Sequence, residues 1–395
     1  MQKRKIAGLD SNVFYLGIVS LLNDLSSEMV YSVMPVFLTT LLGATPAFVG
    51  LLEGAADALS SVLKIFSGHL SDYLKKRKSL AFAGYTLSVL TRLGLVFTAS
   101  AAGVFGLRII DRIGKGFRDA PRDALIVDSA PREDLGKSFN YHRAMDTIGS
   151  TIGPLVGFFL LPYLFFNYRS LFFIGFIAGI LALLAFFFVH DVPSDRPLAK
   201  KLSWSIRSYP REFQKLLLAT FVFGLGMLPV SLLLLRIAPI NPDLSFVPIF
   251  YFIYSLSFVL FAFPIGQISD RFGERRMVLA GFAVAIVSYI VLALSVEPWA
   301  ILLGFVLLGL YSALTDGILR SYAAKLVEDE RRGGAQGMIG ATIGISSLVA
   351  GVIGGTIWTV YGFASALWYG AFAMCAGTLL FVLFIGKRRA TLSSS

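Results

Sequence analysis

The sequence predicts an all-α membrane protein in which twelve transmembrane helices form two six-helix bundles related by a pseudo-two-fold axis. Composition, the spacing of apolar segments and an internal repeat each point to this fold class. The 395 residues are 56% hydrophobic and 15% charged, with a mean hydropathy of +0.75. Soluble domains contain about 25% charged residues. The composition therefore indicates a protein that is integral to a lipid bilayer.

Twelve apolar segments have the length of about 20 residues that a helix needs to cross a bilayer. They occupy residues 13–41, 46–70, 80–100, 103–128, 138–162, 170–190, 215–236, 246–269, 277–295, 299–326, 335–358 and 364–385. The first segment follows a short basic stretch and so resembles a secretory signal. It is too long for one, and Asp24 and Glu28 interrupt it, so we expect it to be retained as the first span.

The connections between the spans alternate in basic charge. On one side, the connections and the two chain ends contain 23 Lys and Arg residues, whereas the opposite set contains only Arg169 and Arg236. Basic connections stay on the cytoplasmic side. We therefore expect an integral protein of the bacterial cytoplasmic (inner) membrane with both termini in the cytoplasm. The net charge of +11 then reflects topology, and no nucleic-acid partner is expected.

One long polar connection divides the chain. It separates an N-terminal six-helix bundle at residues 1–190 from a C-terminal bundle at 215–395, with a cytoplasmic linker at 191–214. The two bundles resemble each other at a constant offset of 198 residues. Matching positions are Gly68 and Gly266, Asp72 and Asp270, Arg77 and Arg275, Arg122 and Arg320, Gly153 and Gly351, and Gly157 and Gly355. Parallel repeats with a site between them at mid-depth are a recurring plan of transporters.

The fourth span carries nine charged residues between Arg108 and Asp128. At 100° per residue, all of them except Asp128 fall within an arc of about 140°. The residues on this arc are Arg108, Asp111, Arg112, Lys115, Arg118, Asp119, Arg122 and Asp123. A charge at the bilayer centre costs about 2.5–3.5 kcal/mol. The stripe is therefore predicted to face an interior cavity or opposite charges, as the wall of a polar pathway.

Two pairs of acidic residues on the first two spans are the candidates for proton coupling. Asp24 and Glu28 are four residues apart, as are Glu53 and Asp57, so each pair shares one helical face. Neighbouring buried carboxylates repel each other, which suits one of them to bind and release a proton. Arg112 or Lys115 is expected to pair with the carrier in alternation. A purely structural ion-pair network that orients the helices is the alternative.

Other candidates for the substrate cavity and its charge pairs lie on the first, fifth and tenth spans. They are Asn23, Arg143, Asp146, Asp316 and Arg320, beside the charged residues of the fourth span. Ionisable residues are concentrated in the first half, so coupling is expected there. The chain has one cysteine and three scattered histidines, so neither a metal nor another cofactor is expected, and protons are the expected coupling ion.

Several motifs resemble those of the major facilitator superfamily. The segment from Gly266 to Arg276 (GQISDRFGERR) closely follows the family's signature loop, and the segment from Gly68 to Lys78 (GHLSDYLKKRK) is a divergent copy. Arg112 to Gly116 is similar to the family's motif on the fourth span. On the fifth span, Gly149, Gly153, Pro154 and Gly157 resemble the motif of proton-coupled drug and metabolite exporters.

The resemblance implies that the signature loops gate the transporter. In these loops Asp72 and Asp270 would meet a helix end or a nearby Arg and lock one conformation. Asp128 is the expected partner of Arg77, and Glu328 that of Arg275. The remaining gating candidates are Gly68, Gly266 and Arg271. In the resembled family the first span lines the central cavity, which makes Asp24 the first candidate for the proton carrier.

The leading interpretation is a monomeric secondary transporter that works by alternating access and exports a small molecule in exchange for protons. Uptake of a small organic anion by proton symport is the alternative, because Arg112, Lys115 and Arg118 would attract an anion. An intramembrane enzyme with paired carboxylates is a more remote alternative, since no recognisable catalytic sequence accompanies them. The sequence also lacks a nucleotide-binding loop, which disfavours ATP as the energy source.

Overall fold

The computed structural model describes residues 5–6, 8–74, 77–192, 206–238, 246–328 and 331–384, without the side chains of 65, 67–74, 132 and 270. Almost all of this part of the chain is helical. The first half contains a short hairpin (β1 Lys5–Ile6, β2 Leu9–Asp10) and then α1 (Ser11–Tyr31), α2 (Met34–Val36) with a π-helical turn at Phe37–Leu41, α3 (Pro46–Leu74), α4 (Arg77–Phe97), α5 (Ala101–Ser129), α6 (Leu135–Tyr163) and α7 (Tyr168–Phe186).

The second half repeats this order. It contains α8 (Arg211–Gly224), α9 (Val230–Leu234) with a 3-10 turn at Leu235–Ile237, α10 (Val247–Phe272), α11 (Glu274–Leu294), α12 (Pro298–Lys325), α13 (Arg332–Tyr361) and α14 (Phe363–Phe384). Short 3-10 turns at Arg132–Asp134 and Ile206–Ser208 precede α6 and α8. Most of the predicted linker, and both chain ends, lie outside the described residues, so the predicted bundle boundaries stay predictions.

Ten helical segments of the described chain are long and apolar enough to cross a membrane. The two predicted spans that are not among them are the charged α5 and the segment that holds α8 and α9. The predicted span at 215–236 is wrong as one continuous helix, because α8 ends at Gly224 and α9 begins after Pro229. Proline has no N–H to donate within a helix. The count of twelve spans therefore stays a prediction.

The helices of the two halves pack in equivalent pairs. Within the first half α1 packs on α6 and α7, and α5 packs on α3 and α4. The equivalent contacts in the second half are α8 with α13 and α14, and α12 with α10 and α11. Gly149 and Gly153 lie directly against the main chain of α1, where a β-carbon would overlap the carbonyl oxygen of Leu21 or reach within 2.8 Å of that of Leu25. These glycines allow α6 to approach α1 closely.

The two halves meet mainly through α3 and α13, with a second contact between α6 and α10. Successive spans reverse direction, so α3 begins and α13 ends on the side of the membrane away from the chain termini. There Gly50 and Gly351 pack main chain against main chain, and the N–H of Ala47 donates to Thr359 Oγ1 at 2.9 Å. The rings of Phe158 and Phe246 are 5.6 Å apart on the second contact. This end of the interface is closed.

The opposite end of the interface is more open. Charged side chains near it keep much of their surface accessible, with exposed fractions of 47% for Lys64, 62% for Asp316 and 45% for Arg320. Charges in a membrane protein are exposed to water rather than to lipid. The structure is therefore closed on the side away from the termini, and its interior is accessible from the side of the termini.

Candidate substrate cavity between the two halves

Two adjoining cavities lie between the halves. The larger, of about 410 Å³, is lined mainly by the second half, and the smaller, of about 240 Å³, is lined mainly by the first. Asp57, Pro229, Val230 and Tyr254 line both. The larger volume is within the range of sites for drug-sized molecules, about 300–1,000 Å³. Together the cavities form one site whose two walls differ in character.

The wall from the first half is charged. It presents Glu28 from α1, Glu53 and Asp57 from α3, and Arg108, Arg112 and Lys115 from α5. These include all the predicted proton-coupling acids except Asp24. Arg108, Arg112 and Lys115 are four and three residues apart, about one helical turn each, which places them on one face of α5, as the predicted stripe requires. The N-terminal part of that stripe, from Arg108 to Lys115, therefore faces the cavity.

Arg108 is fixed within this wall. Its Nη2 donates to Glu53 Oε2 at 2.6 Å, and its Nη1 lies 3.6 Å from Asp111 Oδ2. The guanidinium also lies over the ring of Tyr31, 3.6 Å from the ring centroid. The side chains of Arg108 and its two acidic partners are each less than a tenth exposed. Buried ion pairs with further hydrogen bonds of this kind hold helices in register.

Glu28 and Asp57 have a different environment. Each accepts a hydrogen bond from a hydroxyl of the opposite half: Glu28 Oε2 from Tyr251 at 2.9 Å, and Asp57 Oδ2 from Ser347 at 3.3 Å. Among the described residues neither carboxylate has a basic side chain within 4 Å. The ammonium of Lys115 also has no hydrogen bond or ion pair in the described part of the chain. These three groups can change partners without first breaking an ion pair.

Asp24 lies behind the cavity. It lines neither cavity, and its nearest basic partner is Arg118, at 3.7 Å. The structure therefore does not show the expected pairing with Arg112 or Lys115. Arg118 lies about one turn beyond Lys115 on α5. Arg112 lies 3.8 Å from Asp111. Asp24 also accepts a hydrogen bond from Asn23.

The part of the α5 stripe from Arg118 to Asp123 belongs to a second network of ion pairs, some buried and some partly exposed. Asp119 lies 3.0 Å from Lys64 of α3 and 3.6 Å from Arg118. Arg122 lies 2.9 Å from Asp123 and 3.9 Å from Asp146 of α6. For these residues the structural alternative, ion pairs that orient helices, describes what the structure shows. The predicted stripe thus has two roles along its length.

Several other predicted cavity residues line neither cavity; they are Asn23, Asp146, Arg143 and Arg320. Arg143 is exposed on α6 and lines neither cavity. Arg320 is half-exposed and lies 3.7 Å from Asp316, which itself lines the larger cavity. Charges that face the cavity and charges that face the water-filled opening follow the same helical periodicity. The sequence pattern therefore could not distinguish Arg143 and Arg320 from residues that line the cavities.

The gating pairs agree only partly with prediction. Arg77 and Asp128 form a buried ion pair, and Arg77 also donates to the carbonyl of Ala124 at 3.2 Å. Glu328, predicted to pair with Arg275, instead lies 3.8 Å from Arg331, three residues further along the chain. The side chains of Asp72 and Asp270 are not among those that the structure describes.

The second signature loop has a clear local reason for its glycine. Gly273 has φ of +84° at the turn between α10 and α11. L-residues rarely adopt this region, and glycine does so readily. The repeat-related position in the first half, residue 75, lies outside the described residues. Gly68 and Gly266 lie within α3 and α10, and Arg271 is exposed near the end of α10.

The wall from the second half is aromatic. The larger cavity is lined by Phe223, Tyr254, Phe258, Phe282 and Tyr311. The rings of Phe223 and Phe282 are stacked with centroids 3.7 Å apart. The individual residues had no motif of their own. At the offset of 198 residues they correspond to Leu25, Ala56, Ser60, Gly84 and Ile113, none of them charged, so the repeat did not identify them either.

Comparison with known proteins identifies the family. A family model described as the Major Facilitator Superfamily matches residues 16–240 and 216–395. The chain belongs to this superfamily. It is 30% identical over 385 residues to an uncharacterized MFS-type transporter of Methanocaldococcus jannaschii, and the match covers 95% of each chain. It is also 24% identical to a multi-drug resistance efflux pump PmrA homolog of Lactococcus lactis, over 84% of each chain.

Solved structures share the fold of this superfamily member. A mutant of the nucleoside transporter NupG has a TM-score of 0.82 at 15% identity, covering 95% of this chain and 100% of that one. A mutant of the peptide transporter POT has a TM-score of 0.81 at 13% identity, covering 97% and 95%. At such identities the likeness concerns the fold alone. With the family established, the protein is a membrane transporter and not an enzyme.

Proposed function

We propose that this transporter exports a small molecule in exchange for protons, by alternating access of the central cavity to the two sides of the membrane. The observation that carries the proposal is the position of Glu28 and Asp57. Both belong to the first half, and both accept a hydrogen bond from a hydroxyl of the second half. No cofactor takes part, and the working unit is a monomer.

These hydrogen bonds link protonation to the arrangement of the halves. A hydroxyl can donate to a carboxylate and can also accept from a carboxylic acid. When the halves reorient, Tyr251 and Ser347 move with the second half, whereas Glu28 and Asp57 stay with the first. The affinity of the carboxylates for a proton then depends on the conformation. A difference of this kind is what couples proton binding to a conformational equilibrium.

Lys115 supplies the complementary charge. Its ammonium lines the same small cavity and has no partner within 4 Å in the described part of the chain. It can therefore approach a carboxylate that has lost its proton and withdraw when the proton returns. Arg108 is held by Glu53 and Asp111, so it stabilises the wall while Lys115 changes partner.

The direction of transport is inferred from the accessible side. The interface is closed away from the termini by the contact of Gly50 with Gly351. If both termini are cytoplasmic, as the basic connections predict, the cavity is accessible from the cytoplasm. An exporter takes up its substrate from that side. The similarity to an efflux pump homolog also supports this direction.

Symport of a small organic anion is the second candidate. The ammonium of Lys115, which has no ion-pair partner among the described residues, favours it, because an unpaired cation in a confined cavity attracts an anion. Export and symport predict proton movements of opposite sign, so a single experiment separates them.

The experiment uses vesicles that contain the purified protein and a fluorescent pH indicator. Compounds that raise the thermal stability of the protein are added outside, in the absence of a pH gradient. For exchange, entry of the compound drives protons out and the interior becomes alkaline, whichever way the protein is inserted. An interior that becomes acidic would establish symport instead. Compound entry without any pH change would contradict proton coupling.

A further inference from the structure

We propose that Arg92 of α4 is a positioning residue, which binds Asp111 when Arg112 leaves that carboxylate for the acids of the cavity. The inference rests on the proton exchange proposed above, and it adds a residue that lines neither cavity. Two observations carry it. Arg92 is buried without an acidic partner, and Asp111 is shared by two arginines that differ in how firmly they are held.

Arg92 is a buried cation with N–H groups that have no acceptor. It is fully buried, and its one hydrogen bond in the described part of the chain runs from Nη2 to Asn23 Oδ1, at 3.0 Å. Nε and Nη1 have no hydrogen bond to any described residue, and no described carboxylate lies within 4 Å. A buried charge without an ionic partner is costly. The free N–H groups therefore indicate a second arrangement in which they have a partner.

The acid that Arg92 can reach is Asp111. The charged and titratable groups near Arg92 are Asp24 and Tyr31 of α1 and Asp111 and Arg118 of α5. Of the two acids, Asp24 already has Arg118 at 3.7 Å. On the α4 side, Ser88 Oγ donates to the carbonyl oxygen of Asp111 at 3.3 Å. Arg92 follows Ser88 by one turn, and long side chains in a helix point back toward its N-terminus, so the guanidinium is directed toward the level of Asp111.

The packing around Arg92 limits where its guanidinium can move. Gly179 of α7 lies against Nη1, where a β-carbon would be only 2.8 Å away. Asn23 of α1 is bound on another side, through Nη2. The open direction is therefore toward α5, which carries Asp111.

Arg112 is the partner of Asp111 that can leave. Its Nε lies 3.8 Å from Asp111 Oδ2 and has no hydrogen bond to a described residue. Arg108, the other partner, is also bound to Glu53 at 2.6 Å. Arg112 lines the small cavity together with Asp57, and it is the basic group that attracts this carboxylate most strongly. Loss of the proton from Asp57 therefore draws Arg112 toward the cavity.

The stand-in lets Arg112 move without leaving Asp111 short of a partner. While Asp57 holds its proton, Arg112 stays beside Asp111 and Arg92 binds Asn23 alone. When the proton passes from Asp57 to water in the cavity, Arg112 moves to Asp57, and Arg92 donates its free N–H groups to Asp111. Arg92 thereby stabilises the ionised form of Asp57 without contacting it.

The test uses protons as the probe and needs no substrate. Spin labels at residues 41 and 360, which are exposed on opposite halves at the closed end, report the proportion of open molecules as a function of pH, in a Cys375→Ser background. This proportion should change with pH in the wild type. In Arg92→Met, which removes the charge and keeps a long side chain, the midpoint should move to higher pH by about one to two units, a ten- to hundredfold change in proton affinity. The direction follows because Arg112 no longer leaves Asp111 readily, so the ionised form of Asp57 loses stabilisation.

Two further variants assign the shift to the partner change. Arg92→Lys keeps the charge and should restore part of the wild-type midpoint. In an Asp111→Asn background, Arg92→Met should cause no further shift, because the carboxylate that Arg92 binds is gone. The other charged and titratable groups that face Asp57 stay unchanged in all of these variants; they are Glu53, Arg108, Lys115 and Tyr254.

Arg236→Met is the matched control for stability. Arg236 is also buried, but it donates to the carbonyl oxygens of Leu292 and Ser295. Its replacement should lower the melting temperature in detergent, because those acceptors lose a charged donor. Arg92→Met should keep a melting temperature at or above that of the wild type, since it removes a buried charge that has no ionic partner in this state.

The proposal is overturned if Arg92→Met keeps the wild-type midpoint, if it shifts the midpoint equally in the Asp111→Asn background, or if its melting temperature falls as far as that of Arg236→Met. In each of these cases, a wild type that responds to pH would still support proton coupling. A wild type whose distances do not change with pH would reject the coupling and the partner change together. The response of the wild type therefore distinguishes failure of this inference from failure of the proposed function.

Discussion

Replacing Gly50 by alanine should open the closed end of the interface. Gly50 packs against Gly351 so closely that a β-carbon would overlap the carbonyl oxygen of Gly351 and lie 3.3 Å from its Cα. All of these atoms are main chain, so the clash is relieved only when α3 and α13 move apart. Overpacking of this kind costs about 1–3 kcal/mol. The penalty applies only while the end is closed, so it should multiply the ratio of open to closed molecules by about 5 to 150.

The assay is a distance measurement between spin labels at residues 41 and 360, in a Cys375→Ser background. Leu41 and Val360 are 54% and 63% exposed and lie on opposite halves at this end. The distance between the labels should lengthen in Gly50→Ala. Gly106→Ala is the matched control, because a β-carbon there meets nothing within 4 Å and the gain in helix propensity is the same. Identical distance distributions in both variants and the wild type would show that the contact between Gly50 and Gly351 does not determine whether this end of the interface is open or closed.

Three further substitutions test the charged wall and the gate. Glu53→Gln should lower the free energy of unfolding by about 3–5 kcal/mol, because it leaves the buried Arg108 without one of its two carboxylate partners. Thermal unfolding in detergent measures this change, and unchanged stability would show that the ion pair is dispensable. Tyr251→Phe removes the hydrogen bond to Glu28 and should shift the pH dependence of transport. An unaltered pH profile would exclude Glu28 from coupling. Asp128→Asn should change the proportion of open molecules in the spin-label assay without reducing substrate binding, and a loss of binding with no change of distance would contradict its gating role.

The sequence predicted the fold and the charged wall because both depend on local periodicity. The arc of charges on α5 follows from the helical repeat alone, and Arg108, Arg112 and Lys115 do line a cavity. The same periodicity continues through Arg118 and Asp119, which instead pair behind the cavity. The helical repeat determines which face of α5 a side chain occupies. It does not determine how far along α5 the cavity extends, because that depends on the contacts between the two halves. The sequence therefore could not divide the stripe between cavity and scaffold.

The partners of the acids were beyond sequence reasoning for the same reason. The hydroxyls that meet Glu28 and Asp57 come from α10 and α13, more than 200 residues away in the chain. Their approach depends on how the halves dock, which no local pattern encodes. The preference for Asp24 rests on the resemblance, in which the first span lines the central cavity, yet the span that carries a side chain does not determine which neighbour covers it. The break after Gly224 was locally encoded, by glycines and Pro229, and could have been predicted.

The measurement that tests the account most directly is proton flux together with substrate exchange, recorded in the same vesicles for the wild type, Asp57→Asn and Asp24→Asn. At saturating concentrations of a transported compound, Asp57→Asn should lose the coupled change of internal pH and retain exchange of labelled for unlabelled compound. Asp24→Asn should retain both activities, because Asp24 lines neither cavity. Proton flux at the wild-type rate in Asp57→Asn, or its loss in Asp24→Asn alone, would contradict the assignment of coupling to the cavity between the halves.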